Sequence, residues 1–150
     1  MFATMNDCGT ILHVEDDPND VLLVQYACRR LAVKPRVETV ANGEEAIAYL
    51  KGEDPFSNRE RHPLPQLVLL DLKMPRVNGF EVLQWIRQQE QFRRTPVIVL
   101  SSSNHATDVK RAYDMGANSY LVKPIHFEGL VEVLGSTCHY WLTLNHFAEA

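Results

Sequence analysis

The chain has 150 residues, 15 Lys plus Arg against 19 Asp plus Glu, and a formal net charge of −4. We expect one domain with a core over about residues 9–144, short tails and no room for a separate effector domain. The mild acidity argues against nucleic-acid binding, and no apolar run is long enough for a membrane span. The three cysteines are odd in number and widely spaced, so we expect reduced thiols and a cytoplasmic protein.

Short apolar runs alternate with segments of helical period along the chain. The apolar runs predict β-strands at residues 10–14, 36–40, 67–70, 96–100 and 120–122. The segments that follow them predict helices at about residues 19–31, 43–51, 79–90, 106–115 and 127–142. Residues 52–65 contain three prolines and several charges, and they predict a solvated insertion loop.

This alternation predicts the class of fold. Strands separated by helices pair in parallel, through right-handed crossovers that leave helices on both faces of the sheet. The run at 67–70, LVLL, is apolar throughout, which is typical of a central strand covered on both faces. We therefore expect an α/β fold with a doubly wound, five-stranded parallel sheet. Ligands of such sheets bind beyond the carboxyl ends of the strands.

Chemically reactive side chains follow four of the five predicted strands. Glu15 and Asp16 follow the first strand and Asp71 the third, whereas Ser101 and Lys123 follow the fourth and fifth. Taken singly, each acid is more simply a helix cap or a solvated turn. Three carboxylates brought together would repel one another unless a hard divalent cation such as Mg²⁺ bound them. With a hydroxyl and an ammonium added, the set predicts a cradle for a phosphoryl group and a carboxylate nucleophile.

Four segments carry a resemblance to a known family: ILHVEDDPND, LVLLDLKMPRVNGFEVL, PVIVLSSS and SYLVKP. Together with the alternation, which covers nearly the whole chain, they resemble the receiver domain of two-component response regulators. The resemblance is closer to single-domain regulators that pair with bacterial phytochrome histidine kinases. That narrower match depends on the VEDDPND opening, the insertion at 52–65 and the WL pair near the C-terminus. The resemblance implies a flavodoxin-like sheet with strand order 2-1-3-4-5.

The resemblance assigns the acidic residues to a phosphorylation and metal site. Asp71 matches the phosphate-accepting aspartate. Asp16 and Asp71 match direct Mg²⁺ ligands, Glu15 matches a ligand that acts through water, and the backbone carbonyl of Lys73 matches a further ligand. Mn²⁺ or Ca²⁺ would substitute for Mg²⁺ at such a site. The Lys73 side chain places a cation where many family members have a neutral residue, which would change metal binding or the lifetime of the phosphate.

The resemblance also assigns residues to a conformational switch. Lys123 matches the lysine that pairs with the phosphate, and the bond before Pro124 matches a cis peptide. Ser101 matches the switch hydroxyl and Tyr120 the aromatic switch residue. His13 departs from the family pattern because that position is usually aliphatic, and we expect a packed, neutral imidazole there.

The resemblance implies a protein that accepts a phosphoryl group from a histidine kinase onto Asp71. Its output would be a conformational change of the fourth-helix, fifth-strand and fifth-helix face, read through protein contacts. It would not be an enzyme, because it turns over no free substrate. The C-terminal helix and tail either form a homodimer or cover only their own core, and the sequence leaves both open.

Other functions remain as alternatives. The chain could be a phosphorelay intermediate, a phosphate sink or an interaction adaptor that is never phosphorylated. A phosphatase with an aspartate nucleophile needs an acid two residues after Asp71, where Lys73 stands. A nucleotide-binding module is disfavoured because neither GxxxxGK[ST] nor GxGxxG occurs at a strand–helix turn.

Overall fold

The structure, a computed structural model, describes residues 9–148. The strands of its one parallel sheet are β1 (Thr10–Val14), β2 (Arg36–Val40), β3 (Leu67–Leu70), β4 (Val97–Ser101) and β5 (Ser119–Val122). The helices are α1 (Pro18–Arg29), α2 (Gly43–Lys51), α3 (Gly79–Gln88), α4 (Ala106–Asp114) and α5 (Phe127–His139), followed by a π-helical turn at Tyr140–Leu144. The strand order is β2-β1-β3-β4-β5. The predicted doubly wound, flavodoxin-like sheet is confirmed.

The sheet buries apolar side chains on both faces. Leu12, Val68 and Val99 point into the core formed with α2, α3 and α4. Their strand neighbours Ile11 and Leu69 point into the core formed with α1 and α5. Successive side chains of a strand face opposite sides, so a strand covered on both faces must be apolar at every position. This is why the three central strands carry so little polarity before their carboxyl ends.

Local capping fixes the helix starts at the carboxyl edge of the sheet. The Asp17 side chain accepts a hydrogen bond from Asn19 N at 2.9 Å and begins α1, with Pro18 as its first residue. Asn78 and Glu81 form a reciprocal capping box at the start of α3. Such caps stabilise a helix by about 1 kcal/mol each. Among residues 9–148, no helix has the length and apolar character needed to cross a membrane.

The last predicted helix ends earlier than its apolar spacing indicated. Regular α-helix ends at His139, and the next five residues form a wider turn closed by a 2.7 Å bond from Asn145 N to Tyr140 O. A π-helical turn inserts an extra residue and so rotates the side chains that follow it. Trp141 and Leu142 pack against the α1–α5 core from this turn. Apolar spacing alone does not distinguish such a turn from continued helix.

The insertion loop is more firmly attached than its composition suggested. The Arg59 guanidinium donates to the carbonyl oxygens of Tyr49 at 2.8 Å and Leu50 at 2.9 Å. These carbonyls belong to the last turn of α2, where backbone acceptors have no partner within the helix. Phe56 lies against the Tyr49 ring, with 5.1 Å between the ring centroids. A charged residue that appeared to be solvated therefore caps a helix.

Candidate functional site

The three predicted acidic residues meet where β1 and β3 end. Val14 and Leu70 are register partners, so the residues that follow them leave the sheet side by side. Asp71 N continues the ladder by donating to Val14 O at 3.0 Å. The carboxylates of Glu15, Asp16 and Asp71 each offer an oxygen, and these oxygens all lie within 4.8 Å of one another. Glu15 and Asp71 are buried and Asp16 is exposed, so the cluster opens to solvent on one side.

Lys123 brings an ammonium to this cluster from the end of β5. Its backbone N–H donates to Ser101 O at 2.8 Å, which sets the residue beside the end of β4. Its Nζ lies 2.7 Å from Glu15 Oε1 and 2.8 Å from Asp20 Oδ2. The distance from Nζ to Asp71 Oδ1 is 3.9 Å, outside hydrogen-bond range. The lysine therefore forms an ion pair with Asp71 but donates its hydrogen bonds to Glu15 and Asp20.

Burial raises the pKa values of the two buried carboxyl groups in spite of the nearby ammonium. Burial raises the pKa of Glu15 to about 7; the hydrogen bond from Lys123 opposes this shift and the charge of Asp71 adds to it. Burial also raises the pKa of Asp71, against the opposing charge of Lys123. For Lys123, burial alone lowers the pKa, but the hydrogen bonds to Asp20 and Glu15 outweigh it and raise the pKa. One ammonium does not balance the buried carboxylates.

The donor set fits a hard divalent cation. All three side chains of the cluster offer carboxylate oxygens, the ligands that Mg²⁺ prefers, and the open side leaves room for the waters that Mg²⁺ retains. The backbone N–H of Lys73 is bonded to the Asp71 carboxylate, which places the Lys73 backbone at the site while its side chain is exposed. Glu15, Asp16 and Asp71 are thus the side chains that could hold such an ion.

The two predicted switch residues are joined through Ser103. Ser101 is fully buried, and its Oγ accepts a hydrogen bond from Ser103 N at 3.1 Å. The Tyr120 hydroxyl donates to Ser103 O at 2.8 Å, so its ring lies inward against the α2–α4 core. The Ser103 hydroxyl donates to Asp108 Oδ2 at 2.7 Å in the first turn of α4. Ser103 thus connects Ser101 to Tyr120 and, through Asp108, to α4.

Comparison with known proteins identifies this arrangement. The family model for the response regulator receiver domain matches residues 11–135. The chain belongs to that family. It is 39% identical to the probable methanogenesis regulatory protein FilR2 of Methanothrix harundinacea (strain 6Ac), over 90% of this chain and 84% of FilR2.

Two solved response regulators are similar to this chain in structure, and the first is a phytochrome response regulator. The phosphorylated cyanobacterial phytochrome response regulator RcpA has a TM-score of 0.85 and 34% identity, over 94% of this receiver domain and 99% of RcpA. The Mn²⁺-bound response regulator Rcp1, a protein of Synechocystis sp. (strain ATCC 27184 / PCC 6803 / Kazusa), has a TM-score of 0.82 and 31% identity, over 94% and 99%. Receiver domains are signalling proteins that pair with histidine kinases and bind a divalent metal in an acidic pocket; they are not classical enzymes.

Two contacts of the receiver domain were not anticipated from the sequence. Asp20 bonds to Lys123, and Ser103 links the switch residues to Asp108. A signal for Asp20 exists: it is the third residue after the cap Asp17, so it lies in the first turn of α1 at the same edge of the sheet. Ser101 ends β4 and two further serines follow it, and the sequence pattern does not indicate which of the three makes the contacts.

The prediction of a cis bond before Pro124 is wrong. Within residues 9–148 the cis peptide bond is Asp54–Pro55, and Lys123–Pro124 is trans. The trans isomer is the one that X–Pro bonds favour, by about 0.5–1 kcal/mol. Lys123 makes its contacts with Glu15 and Asp20 in this form.

His13 is the packed, neutral residue that the sequence predicted. It is 1% exposed in the middle of β1, and its Nδ1 has no hydrogen-bond partner. Burial, reinforced by the charge of Lys123, lowers its pKa from 6.5 to about 3. The unfolded chain therefore binds a proton at His13 more readily than the folded protein does.

We expect His13→Leu to reduce acid sensitivity. The lowered pKa of His13 leaves the stability of the fold unaffected above pH 6.5 and reduces it as pH falls from 6.5 toward 3. Relative to the variant, the wild type should lose about 1.4 kcal/mol of unfolding free energy for each pH unit between pH 6.5 and about pH 3. Urea unfolding at pH 7 and pH 5 measures the difference, with the exposed His146→Leu as control. Equal pH dependence of wild type and His13→Leu would contradict the expectation.

Proposed function

We propose that this receiver domain accepts a phosphoryl group from a histidine kinase onto Asp71. Mg²⁺ would be held by Asp16, Asp71 and the backbone carbonyl of Lys73, with Glu15 acting through water. The observation that carries the proposal is the cluster itself: carboxylate oxygens of three residues within 4.8 Å, with one ammonium 3.9 Å from Asp71. Such a site supplies a nucleophile and positive charge for the oxygens of a transferring phosphoryl group.

The chemistry needs one nucleophile and one leaving group. A carboxylate oxygen of Asp71 forms a bond to phosphorus as the bond from phosphorus to the donor imidazole breaks. The electron pair of that bond stays on the imidazole nitrogen, which takes up a proton. A divalent cation, when bound, neutralises charge on the phosphoryl oxygens. Water later attacks phosphorus, the bond from Asp71 oxygen to phosphorus breaks, and inorganic phosphate leaves the restored carboxylate.

The switch would begin at Ser101. A phosphoryl group on Asp71 attracts the Ser101 hydroxyl through a charge-assisted hydrogen bond. That movement perturbs the bond from Ser103 N to Ser101 Oγ and, through Ser103 O, the Tyr120 hydroxyl. The face formed by α4, β5 and α5 then changes its population of conformations. A change from mostly off to mostly on requires several kcal/mol of difference between the two states.

Partner and location follow from the same proposal. The likeness to RcpA and Rcp1 supports a phytochrome histidine kinase as the phosphoryl donor. A kinase that draws on ATP implies a cytoplasmic site of transfer. The α4–β5–α5 face exposes about half of Tyr113 and Val122, and Ile125 beside it is 96% exposed. These apolar side chains support output through protein contacts, including a homodimer.

Phosphorylation by a small donor tests the proposal directly. The wild-type protein is incubated with phosphoramidate and Mg²⁺, and intact mass is recorded with and without EDTA. We expect one phosphoryl group, gained only when the metal is present and released by mild base as acyl phosphates are. No gain in either condition would favour an unphosphorylated adaptor instead. Sedimentation velocity of the same samples tests the homodimer, and a lone monomer species throughout would reject it.

A further inference from the structure

Lys123 has a second carboxylate partner outside the metal cluster. Asp20 Oδ2 lies 2.8 Å from Lys123 Nζ, as close as Glu15 Oε1 at 2.7 Å. Glu15 belongs to the group of carboxylates that lie within 4.8 Å of one another, whereas Asp20 does not. Asp20 is thus a strong ligand of the ammonium that does not belong to the metal site.

The position of Asp20 is fixed by the fold. It lies in the first turn of α1, whose start is set by Asp17 and Pro18. Asp20 and Lys123 line a small cavity together with the apolar residues Leu23, Val24, Leu100, Pro124 and Leu130. Apolar surroundings strengthen an ion pair because fewer waters compete for it. The Lys123 side chain is 17% exposed and the Asp20 side chain 31%, so the pair is partly shielded from solvent.

Two hydrogen bonds from the Lys123 ammonium determine its distance from Asp71. Nζ donates to Glu15 and Asp20 but stays 3.9 Å from Asp71 Oδ1. A divalent cation bound in the cluster would attract the Glu15 carboxylate and so compete with Lys123 for it, because Glu15 is part of the cluster. Asp20 is then the carboxylate that still holds Lys123. Without it, the ammonium would move from 3.9 Å to hydrogen-bond distance of Asp71 and compete there with the cation.

We propose that Asp20 is a positioning residue that holds the Lys123 ammonium at ion-pair distance from Asp71 without letting it donate a hydrogen bond to Asp71. The acceptor carboxylate thereby stays available to the metal and to the phosphoryl donor. This inference rests on the proposed function only for its kinetic part. The placement of Lys123 follows from the contacts alone, and the effect on Mg²⁺ affinity rests on the proposed metal site.

Asp20→Asn tests the role, and the chain offers a matched control. Asp17→Asn removes the same charge at the start of the same helix and leaves a cap, because Asn caps helices as well as Asp does. We expect Asp20→Asn to raise the Mg²⁺ concentration for half-maximal phosphorylation by phosphoramidate roughly tenfold, the value of one charge-assisted hydrogen bond. The maximal rate at saturating Mg²⁺ should change less than about threefold, since the ion then displaces Lys123 from Asp71. Asp20→Glu should restore most of the affinity.

Two further measurements separate positioning from a general structural effect. The ¹H–¹⁵N signal of Lys123 Nζ should shift in Asp20→Asn, stay unchanged in Asp17→Asn and return in Asp20→Glu. Calorimetry with Mg²⁺ alone should show the same order of affinities. Equal Mg²⁺ affinity and an unshifted Nζ signal in Asp20→Asn would overturn the inference. If the wild type binds Mg²⁺ but takes no phosphoryl group, the proposed function fails, while the calorimetry and the Nζ signal still decide the role of Asp20.

Discussion

Asp71→Asn is expected to abolish phosphoryl acceptance. An amide does not attack phosphorus as a carboxylate does, so the acceptor is lost while the size of the side chain is kept. Intact mass after incubation with phosphoramidate and Mg²⁺ should show no phosphorylated species. Asp114→Asn, which changes an exposed carboxylate paired with Lys110, should be phosphorylated like the wild type. Phosphorylation of Asp71→Asn at the wild-type rate would show that another residue is the phosphate acceptor.

The same variant should fold at least as stably as the wild type at neutral pH without metal. Burial raises the pKa of Asp71, so the fold disfavours its charged form, and the stability that this shift represents is lost as pH rises through the folded pKa. Asparagine carries no charge and avoids that loss. Urea unfolding at pH 7 measures the effect. A variant that is both inactive and strongly destabilised would show that misfolding, rather than the missing nucleophile, explains the inactivity.

The sequence predicted the site because the fold imposes a simple geometric rule. Parallel strands end at one edge, so residues that follow successive strands must meet there. Glu15, Asp71 and Lys123 each follow directly on an apolar strand that the sequence marks clearly. Their meeting did not depend on any loop conformation, which sequence patterns predict poorly.

The features that the sequence did not predict depend on contacts between distant segments. Arg59 caps α2 from the insertion loop, and Asp20 bonds to Lys123 over a separation of 103 residues. In both cases the charged side chain is not part of an apolar pattern, so its partner can be identified only from the folded structure. The π-helical turn at Tyr140–Leu144 keeps nearly the apolar spacing of a helix, so the pattern extends through it.

The site also constrains the backbone around it, and Gly79 shows how tightly. Gly79 N donates to Leu72 O at 3.0 Å, which draws the start of α3 against the loop that follows Asp71. A Cβ at Gly79 would overlap the backbone oxygen of Asp71 and come within 2.6 Å of Leu72 Cα. Both neighbours are backbone atoms, so no side chain can rotate away to make room.

Gly79→Ala is therefore expected to cost about 2–4 kcal/mol of unfolding free energy, because α3 or the Asp71 loop must move. Gly135→Ala is the matched control. It makes the same change inside α5, where the new Cβ would lie 3.4 Å from Leu31 Cδ2, an ordinary contact. That variant should gain about 0.5–1 kcal/mol from the reduced flexibility of the unfolded chain. Urea unfolding of both variants measures the contrast.

The stability loss in Gly79→Ala should be accompanied by a loss of function. Any shift of the Asp71 backbone changes the distance from its carboxylate to those of Glu15 and Asp16, so Mg²⁺ affinity should fall even in the folded fraction. Calorimetry with Mg²⁺ under conditions where the variant is fully folded separates the two effects. Wild-type stability and wild-type affinity together in Gly79→Ala would show that the loop after Asp71 yields easily. The close approach of α3 would then have no part in holding the acceptor in place.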